Sequence, residues 1–514
     1  MKLRKVSTPL RQLQRQANRQ ASSFSTAARP RAPATTTLLC RCLAPTAPAP
    51  TPSSPRARRA YATAATTVPA SSFLFGQPVH ETHPHLLAPG ELTPGISAQE
   101  YHERRARLVA ALPEGSAVLL PSAQTQYRSG AVFHAFRQES NFLYLTGFSE
   151  PESLALIVKT SPQDGDYIFH LWCRPKDPKQ EQWNGPWSGL DAARDVWNVD
   201  EAGDIGRLDQ GLTAALKGVT KIYTDAELTK YGVPTRLGNT LRAAASGIST
   251  APLKPAINSL RAVKSPAEIA CMRRAGQASG RAITNAMRRD WKYEKEIAAF
   301  LDYEYQKAGL DGSAYIPVVA GGPKALLIHY VLNNGSLNDD EFVLVDAGGE
   351  YGTYITDITR TWPVSGKFTP PQRDLYEAVL SAQRASVSLC RESAGVTLDK
   401  LHSITETALR DQLQQLGFDV GGNAMSTLFP HHVGHYIGLD VHDVPGFSRG
   451  TTLREGHCVT VEPGIYVPDD ERWPKAFRGL GIRIEDSVAV GEDSPLILTT
   501  EAAKEVVDIE ALRD

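Results

Sequence analysis

Phe342-Val343-Leu344-Val345-Asp346-Ala347-Gly348-Gly349 decides how this chain is read. Four apolar residues form a short buried strand that runs straight into an acid, and Ala347-Gly348-Gly349 turns the chain. Tyr351 onward reads as a returning strand that leads to Asp357, in Asp357-Ile358-Thr359-Arg360-Thr361. A hairpin of this kind brings two carboxylates, 11 residues apart, within cross-strand reach. Turn or capping aspartates would account for Asp346 equally well, but they fit Asp357 poorly.

The same pattern recurs further along. Cys458-Val459-Thr460-Val461 is a β-branched strand ending in Glu462 and stopped by Pro463-Gly464. In Gly481-Ile482-Arg483-Ile484-Glu485-Asp486, Arg483 and Glu485 stand two apart and share one face of a strand. Arg483 can there orient and partly neutralise carboxylates, although a structural salt bridge explains this pair alone slightly better. Between the acidic segments lies a histidine cluster with His431, His432, His435 and His442 among glycines and apolar residues. Lone histidines are mostly core or surface residues; four of the chain's 13 within 12 positions point to function.

Asp346, Asp357, His435, Glu462 and Glu485 thus all sit in apolar surroundings, where an uncompensated carboxylate either costs several kcal/mol or takes up a proton. Bound cations would balance them. Carboxylate-rich, imidazole-poor ligation suits two divalent metal ions, Mn²⁺ foremost, with Co²⁺ and Zn²⁺ sharing such ligands. A pair of metals about 3.5–4 Å apart supports hydrolysis.

Asp346-Ala-Gly, Asp357-Ile-Thr-Arg-Thr, His435 in His-x-x-x-His, Val-Glu462-Pro-Gly and Arg483-Ile-Glu485-Asp together resemble the metal motifs of the pita-bread metallopeptidases, in their aminopeptidase P and prolidase branch. The similarity extends over most of 76–514. Phe136-Arg137-Gln138-Glu139-Ser140-Asn141-Phe142-Leu143-Tyr144-Leu145-Thr146-Gly147 is similar to the amino-terminal domain of aminopeptidase P. The segment from Gly76-Gln77-Pro78 to Pro94-Gly95 resembles the mitochondrial subgroup of Xaa-Pro aminopeptidases and intermediate-cleaving peptidases. The resemblance implies that Asp357 and Glu485 bridge the metals, that Asp346 completes one, and that His435 and Glu462 complete the other. It places His329, His431 and His442 in the substrate pocket, with His442 stabilising the oxyanion and Glu462 handling the proton. It gives His432 no role. Some members carry an acid shortly before the Arg-Gln pair; Gly130-Ala131-Val132-Phe133 has none here, which leaves open their contact to a partner subunit's site.

The rest of the chain sets the frame. Its 514 residues, 41% hydrophobic and 22% charged, suffice for two sizeable domains and a tail, and no apolar run is long enough to span a membrane. From Ile96 to about Thr250 helix-like and strand-like segments alternate: a charged helix over 100–112, and strands at 117–120, 142–145, 154–158 and 167–172. Ser249-Thr-Ala-Pro-Leu-Lys-Pro255 reads as a linker, and Ser265-Pro266-Ala267-Glu268 as the capping box of a following helix. No internal repeat is visible. With the resemblance, the expected architecture is an α/β amino-terminal domain over 71–255 and an α+β pita-bread catalytic domain over 256–514. Six cysteines without a CxxC pair indicate a reducing compartment.

Charge is divided unevenly. Lys and Arg total 55 against 56 Asp and Glu, but twelve of the basic residues and none of the acids fall in residues 1–80. The remainder holds 43 bases against 56 acids, a net of −13, which argues against a nucleic-acid partner. The acid-free, Arg-rich start and the Pro/Ala/Ser/Thr-rich stretch behind it read as a mitochondrial transit peptide and linker over 1–70, with the matrix as destination. Arg58-Arg59-Ala60-Tyr61-Ala62 resembles a processing site. The expected activity is removal of the first residue of a polypeptide, with peptide or protein amino termini as partners; association with further copies of the chain stays open. The competing reading within the class is a general Xaa-Pro aminopeptidase or prolidase. A non-catalytic pita-bread binding module would have lost ligands, and none is lost.

Overall fold

In the computed structural model, which describes residues 75–162, 165–225 and 235–514, the charged helix runs Ala98–Ala110 (α1). Ser97 caps it by accepting the Glu100 N–H at 3.2 Å. The transit-peptide reading of 1–70 lies outside the described residues. Six strands form one mixed sheet: β1 (Ser116–Pro121), β2 (Leu154–Lys159), β3 (Tyr167–Cys173), β4 (Glu201–Asp204), β5 (Lys221–Tyr223) and β6 (Ser249–Ala251), in the order β6-β5-β1-β2-β3-β4.

Two elements up to Ala262 differ from the reading above. The strand expected at 142–145 is a helix, Ser140–Thr146 (α2). Its apolar run is buried on all sides, so side-chain period could not separate strand from helix. The ends decide: the Glu139 carboxylate accepts the Phe142 N–H at 2.7 Å, and Gly147 closes the helix at φ +65°. The expected linker is β6 followed by a helix, Lys254–Ala262 (α3), with a proline in its first turn, where a missing N–H costs nothing.

The capping box is present: Ser265 opens the helix Pro266–Met287 (α4), with Ser265 and Glu268 satisfying each other's backbone N–H. α4 packs on Glu294–Lys307 (α5). Then come β7 (Val318–Gly321), β8 (Phe342–Asp346) and β9 (Thr359–Pro363), antiparallel in the order β7-β8-β9. The returning strand is thus β9, not the stretch from Tyr351. Gly349–Tyr351 and Tyr354–Ile355 form a small hairpin that joins Gly312–Ser313 in a separate sheet. Asp346 faces Thr359 across the ladder, and Asp357 sits in the turn before β9.

A second helix pair follows, Pro370–Ser388 (α6) and Leu398–Gln415 (α7), packed on each other. Beyond it lie β10 (Cys458–Val461), β11 (Gly464–Tyr466), β12 (Gly481–Arg483) and β13 (Asp486–Ala489). β10 pairs antiparallel with β13, and β11 with β12. The same order of parts therefore occurs twice: two packed helices, a strand ending at an acid (Asp346, Glu462), and a partner strand beginning just after one (Asp357, Glu485). No sequence repeat announced it. Val343, Val345, Val459 and Val461 are buried in one core with the helices, each contributing about 1.5–3 kcal/mol by burial.

Candidate metal centre

The four acids occupy the ends of two strand pairs, and backbone packing brings the ends together. Thr359 accepts the Glu485 N–H at 3.0 Å through its carbonyl, so the β9 and β13 junctions touch. The Glu462 N–H donates to the Val433 carbonyl at 2.8 Å and the Thr460 N–H to the His435 carbonyl at 2.9 Å, laying the histidine segment beside β10. Two glycines permit the approach. A Cβ on Gly348 would lie 1.9 Å from the Thr356 carbonyl oxygen, and one on Gly434 2.0 Å from that of Thr460.

His435 donates Nδ1–H to the Tyr436 carbonyl at 3.0 Å, which fixes the tautomer and leaves Nε2 facing Asp357 Oδ2 at 3.6 Å and Glu462 Oε1 at 3.5 Å. Donor atoms of Asp357, His435 and Glu485 lie within 4.8 Å of one another. Tyr315 Oη reaches both Asp346 Oδ1, at 2.7 Å, and Asp357 Oδ1, at 2.5 Å. Arg483 is 1% exposed and spends its donors on three groups: Asp346 Oδ2 at 2.7 Å, Tyr466 Oη at 2.8 Å and Thr359 Oγ1 at 3.0 Å. Thr359 in turn donates to Glu485 Oε2 at 2.6 Å. Arg483 and Glu485 do not share one strand face: β12 ends at Arg483, and the guanidinium pairs with Asp346 instead.

The electrostatics are those of a site built for cations. Burial, reinforced by Asp357, raises the Asp346 carboxyl to about 6. Burial likewise lifts Glu462 to about 7 and carries Glu485 well above the carboxylate range. Burial works against a charged His435, but Asp357 and Glu462 outweigh it and hold the imidazole at about 9. Among the described residues, Glu485 Oε1 is buried without a hydrogen-bond partner. An orphaned carboxylate oxygen among convergent hard oxygens and one imidazole fits divalent cations.

The other expected residues stand around this centre. His431 accepts from Tyr466 Oη at 2.9 Å while its Nδ1 donates to the His432 carbonyl, and it lies 3.9 Å from Glu462. Burial first, then Arg483, lower its pKa to about 4, so it is a neutral imidazole. The exposed His442 ring packs edge-on against His435, centroids 4.4 Å apart. His329 is exposed and close enough to act on the charge of His442. His432 turns away and stacks on His402 at 4.6 Å.

Tyr315, Tyr466 and Thr359 were not singled out from sequence. Thr359 lies two residues after Asp357 and Tyr466 four after Glu462, spacings that strand alternation makes significant; Tyr315 has no such signal.

The sequence profile of metallopeptidase family M24 matches residues 270–492, and that of the aminopeptidase P N-terminal domain matches 101–223. Intermediate cleaving peptidase 55 of Saccharomyces cerevisiae is 44% identical over 449 residues, covering 85% of this chain and 88% of that protein. Xaa-Pro aminopeptidase 3 of Homo sapiens is 40% identical over 464 residues, covering 85% and 90%. The crystal structure of the Saccharomyces cerevisiae peptidase without its N-terminal 58 residues superposes with a TM-score of 0.77 at 42% identity, covering 82% of this chain and 99% of that one. Aminopeptidase P from Escherichia coli, in its low-pH form, gives 0.76 at 33% identity, covering 81% and 98%.

Proposed function

We propose that this chain, which belongs to metallopeptidase family M24 and combines the aminopeptidase P N-terminal domain with a pita-bread catalytic domain, trims single residues from the amino termini of imported mitochondrial proteins after presequence removal. The observation that carries the chemistry is the meeting of four acids and His435 at the ends of two strand pairs, with Glu485 Oε1 unpartnered. The processing role is supported by the 44% identity to intermediate cleaving peptidase 55 and by the acid-free, Arg-rich leader. The same proposal divides the chain into a leader over 1–70 and domains over 71–255 and 256–514. In its support, one sheet draws all its strands from 116–251. The mitochondrial matrix is the compartment proposed.

Two divalent ions, Mn²⁺ foremost, would be held by Asp346, Asp357, His435, Glu462 and Glu485. When bound, such a pair supplies Lewis-acid polarisation and lowers the pKa of water towards neutrality. The protein's own groups do the rest. Glu462, 3.5 Å from His435, takes the proton of the attacking water and passes it to the leaving nitrogen. His442 donates to the oxygen that gains charge at the scissile carbonyl. The relay Arg483 to Tyr466 to His431 fixes the His431 ring, which with His329 orients the substrate. Arg483 offsets the charge of Asp346.

Glu462→Gln should leave a folded protein with little turnover, and near-normal turnover would remove Glu462 from the mechanism. Processing itself is tested by comparing protein amino termini in mitochondria with and without the enzyme: one-residue extensions are expected in its absence. The 40% identity to Xaa-Pro aminopeptidase 3 favours a second reading, turnover of proline peptides. Unchanged termini together with cleavage confined to peptides with proline at the second position would select it. Tyr61 before Ala62 also makes the enzyme a substrate of its own activity; a mature chain starting at Tyr61 speaks against that.

A further inference from the structure

Arg137 belongs to the amino-terminal domain, yet its side chain ends on the loop that carries His442. Arg137 donates to the Leu439 carbonyl at 2.5 Å and pairs with Glu350 at 3.0 Å. Ser140 donates to Asp440 Oδ1 at 2.6 Å. Asn141 accepts from Arg261, and Arg261 bonds both Asp440, at 2.7 Å, and Asp443. The Asp443 side chain, 1% exposed, also takes Lys264 Nζ at 2.8 Å. His442 is thus flanked by two clamped aspartates, while its own ring is exposed and rests edge-on against His435. Next in the chain, Val444 has φ +46°, a conformation that a β-branched residue holds only when its surroundings impose it.

We propose that the amino-terminal domain positions His442: Arg137, Ser140 and Asn141, acting through Asp440, Arg261 and Asp443, hold the 437–444 loop so that His442 faces the reacting carbonyl. These are positioning residues, and the inference rests on the role given to His442 above. The domain does more than cover the site, because its hydrogen bonds end on Leu439 and Asp440 just before the histidine and, through Arg261, reach Asp443 just after it. Misplacement of about 1 Å can cost on the order of 10²-fold in rate. Loosening one of several ties should therefore cost about tenfold.

The test uses the full chain with Mn²⁺ added and a peptide with a free amino terminus. Arg137→Met and Ser140→Ala should each lower kcat, about tenfold for Arg137→Met, with KM within about twofold. Amide exchange over 437–444 should quicken in the metal-free protein. Glu100→Gln weakens a different contact, from α1 to Ser265 at the start of α4, and should leave kcat unchanged. In a His442→Ala background, Arg137→Met should have no further effect on kcat. If His442→Ala lowers kcat but Arg137→Met and Ser140→Ala do not, the positioning role is overturned and the reading of His442 stands. Fully additive losses also overturn it. If His442→Ala leaves kcat intact, the role of His442 falls and this inference with it.

Discussion

Metal binding to this site must release protons, and the number follows from the environment of each ligand. At pH 7 the metal-free site holds His435 as imidazolium, since Asp357 and Glu462 keep it at about 9. Glu485 is protonated because burial carries it well above the carboxylate range, and Glu462, at about 7, is half protonated. A metal ligand must be a carboxylate or a neutral imidazole, so loading displaces these protons, about two to three in all. The sign is fixed: each group binds a proton only in the metal-free state, so affinity falls as pH falls. Two protons correspond to a hundredfold in Kd per pH unit, or about 2.7 kcal/mol from about 1.36 kcal/mol per unit for each. Between pH 7 and 6 the dependence steepens as Asp346, at about 6, begins to titrate. Calorimetric titration with Mn²⁺ in buffers of differing ionisation enthalpy counts the protons directly. Release of fewer than about one proton at pH 7 would refute the picture of a site that stores protons in place of cations.

Tyr315→Phe removes a donor shared by Asp346 and Asp357 and should weaken metal binding about 10–100-fold, measured by competition with a chelator. Gly434→Ala puts a methyl 2.0 Å from the Thr460 carbonyl oxygen, so His435 and β10 must separate; a stability loss of about 1–3 kcal/mol in urea denaturation and reduced metal affinity are expected. Asp486→Asn leaves the buried Arg360 unpaired and should cost about 3–5 kcal/mol at pH 7. Burial opposes the Asp486 charge, but Arg360 and Lys504 hold its carboxyl well below the usual range. Its stabilisation is therefore complete above the ordinary aspartate value of about 3.9 and fades as pH falls through and below it, so wild type and variant should converge in acid.

What the sequence made legible was the set of candidate ligands that the structure brings together, because an acid at the end of a buried apolar strand is anomalous one residue at a time. Asp346 after Phe342-Val343-Leu344-Val345 and Glu462 after Cys458-Val459-Thr460-Val461 need no partner to look out of place. What stayed hidden was anything defined by a contact between distant segments. Tyr315 matters because its hydroxyl lies 2.7 Å from Asp346, 31 residues away, and no local pattern encodes that. The pairing of Arg483 was misjudged for a related reason. Period-2 alternation joined it to Glu485, but the strand breaks after Arg483, and the guanidinium turns to Asp346 in the other half.

The hidden repeat explains why that crossing is needed. Each half contributes an acid at a strand end and an acid before the partner strand, and each pair alone would repel. The groups that join the halves are cationic or donate hydrogen bonds: Arg483 from the second half onto Asp346 of the first, and Thr359 from the first half onto Glu485 of the second. Arg360, also from the first half, grips the Glu485 carbonyl and Asp486. Each half thus supplies the counter-charge or donor that the other's acids lack. These bonds hold the acids together, and among the described residues one oxygen, Glu485 Oε1, finds no hydrogen-bond partner.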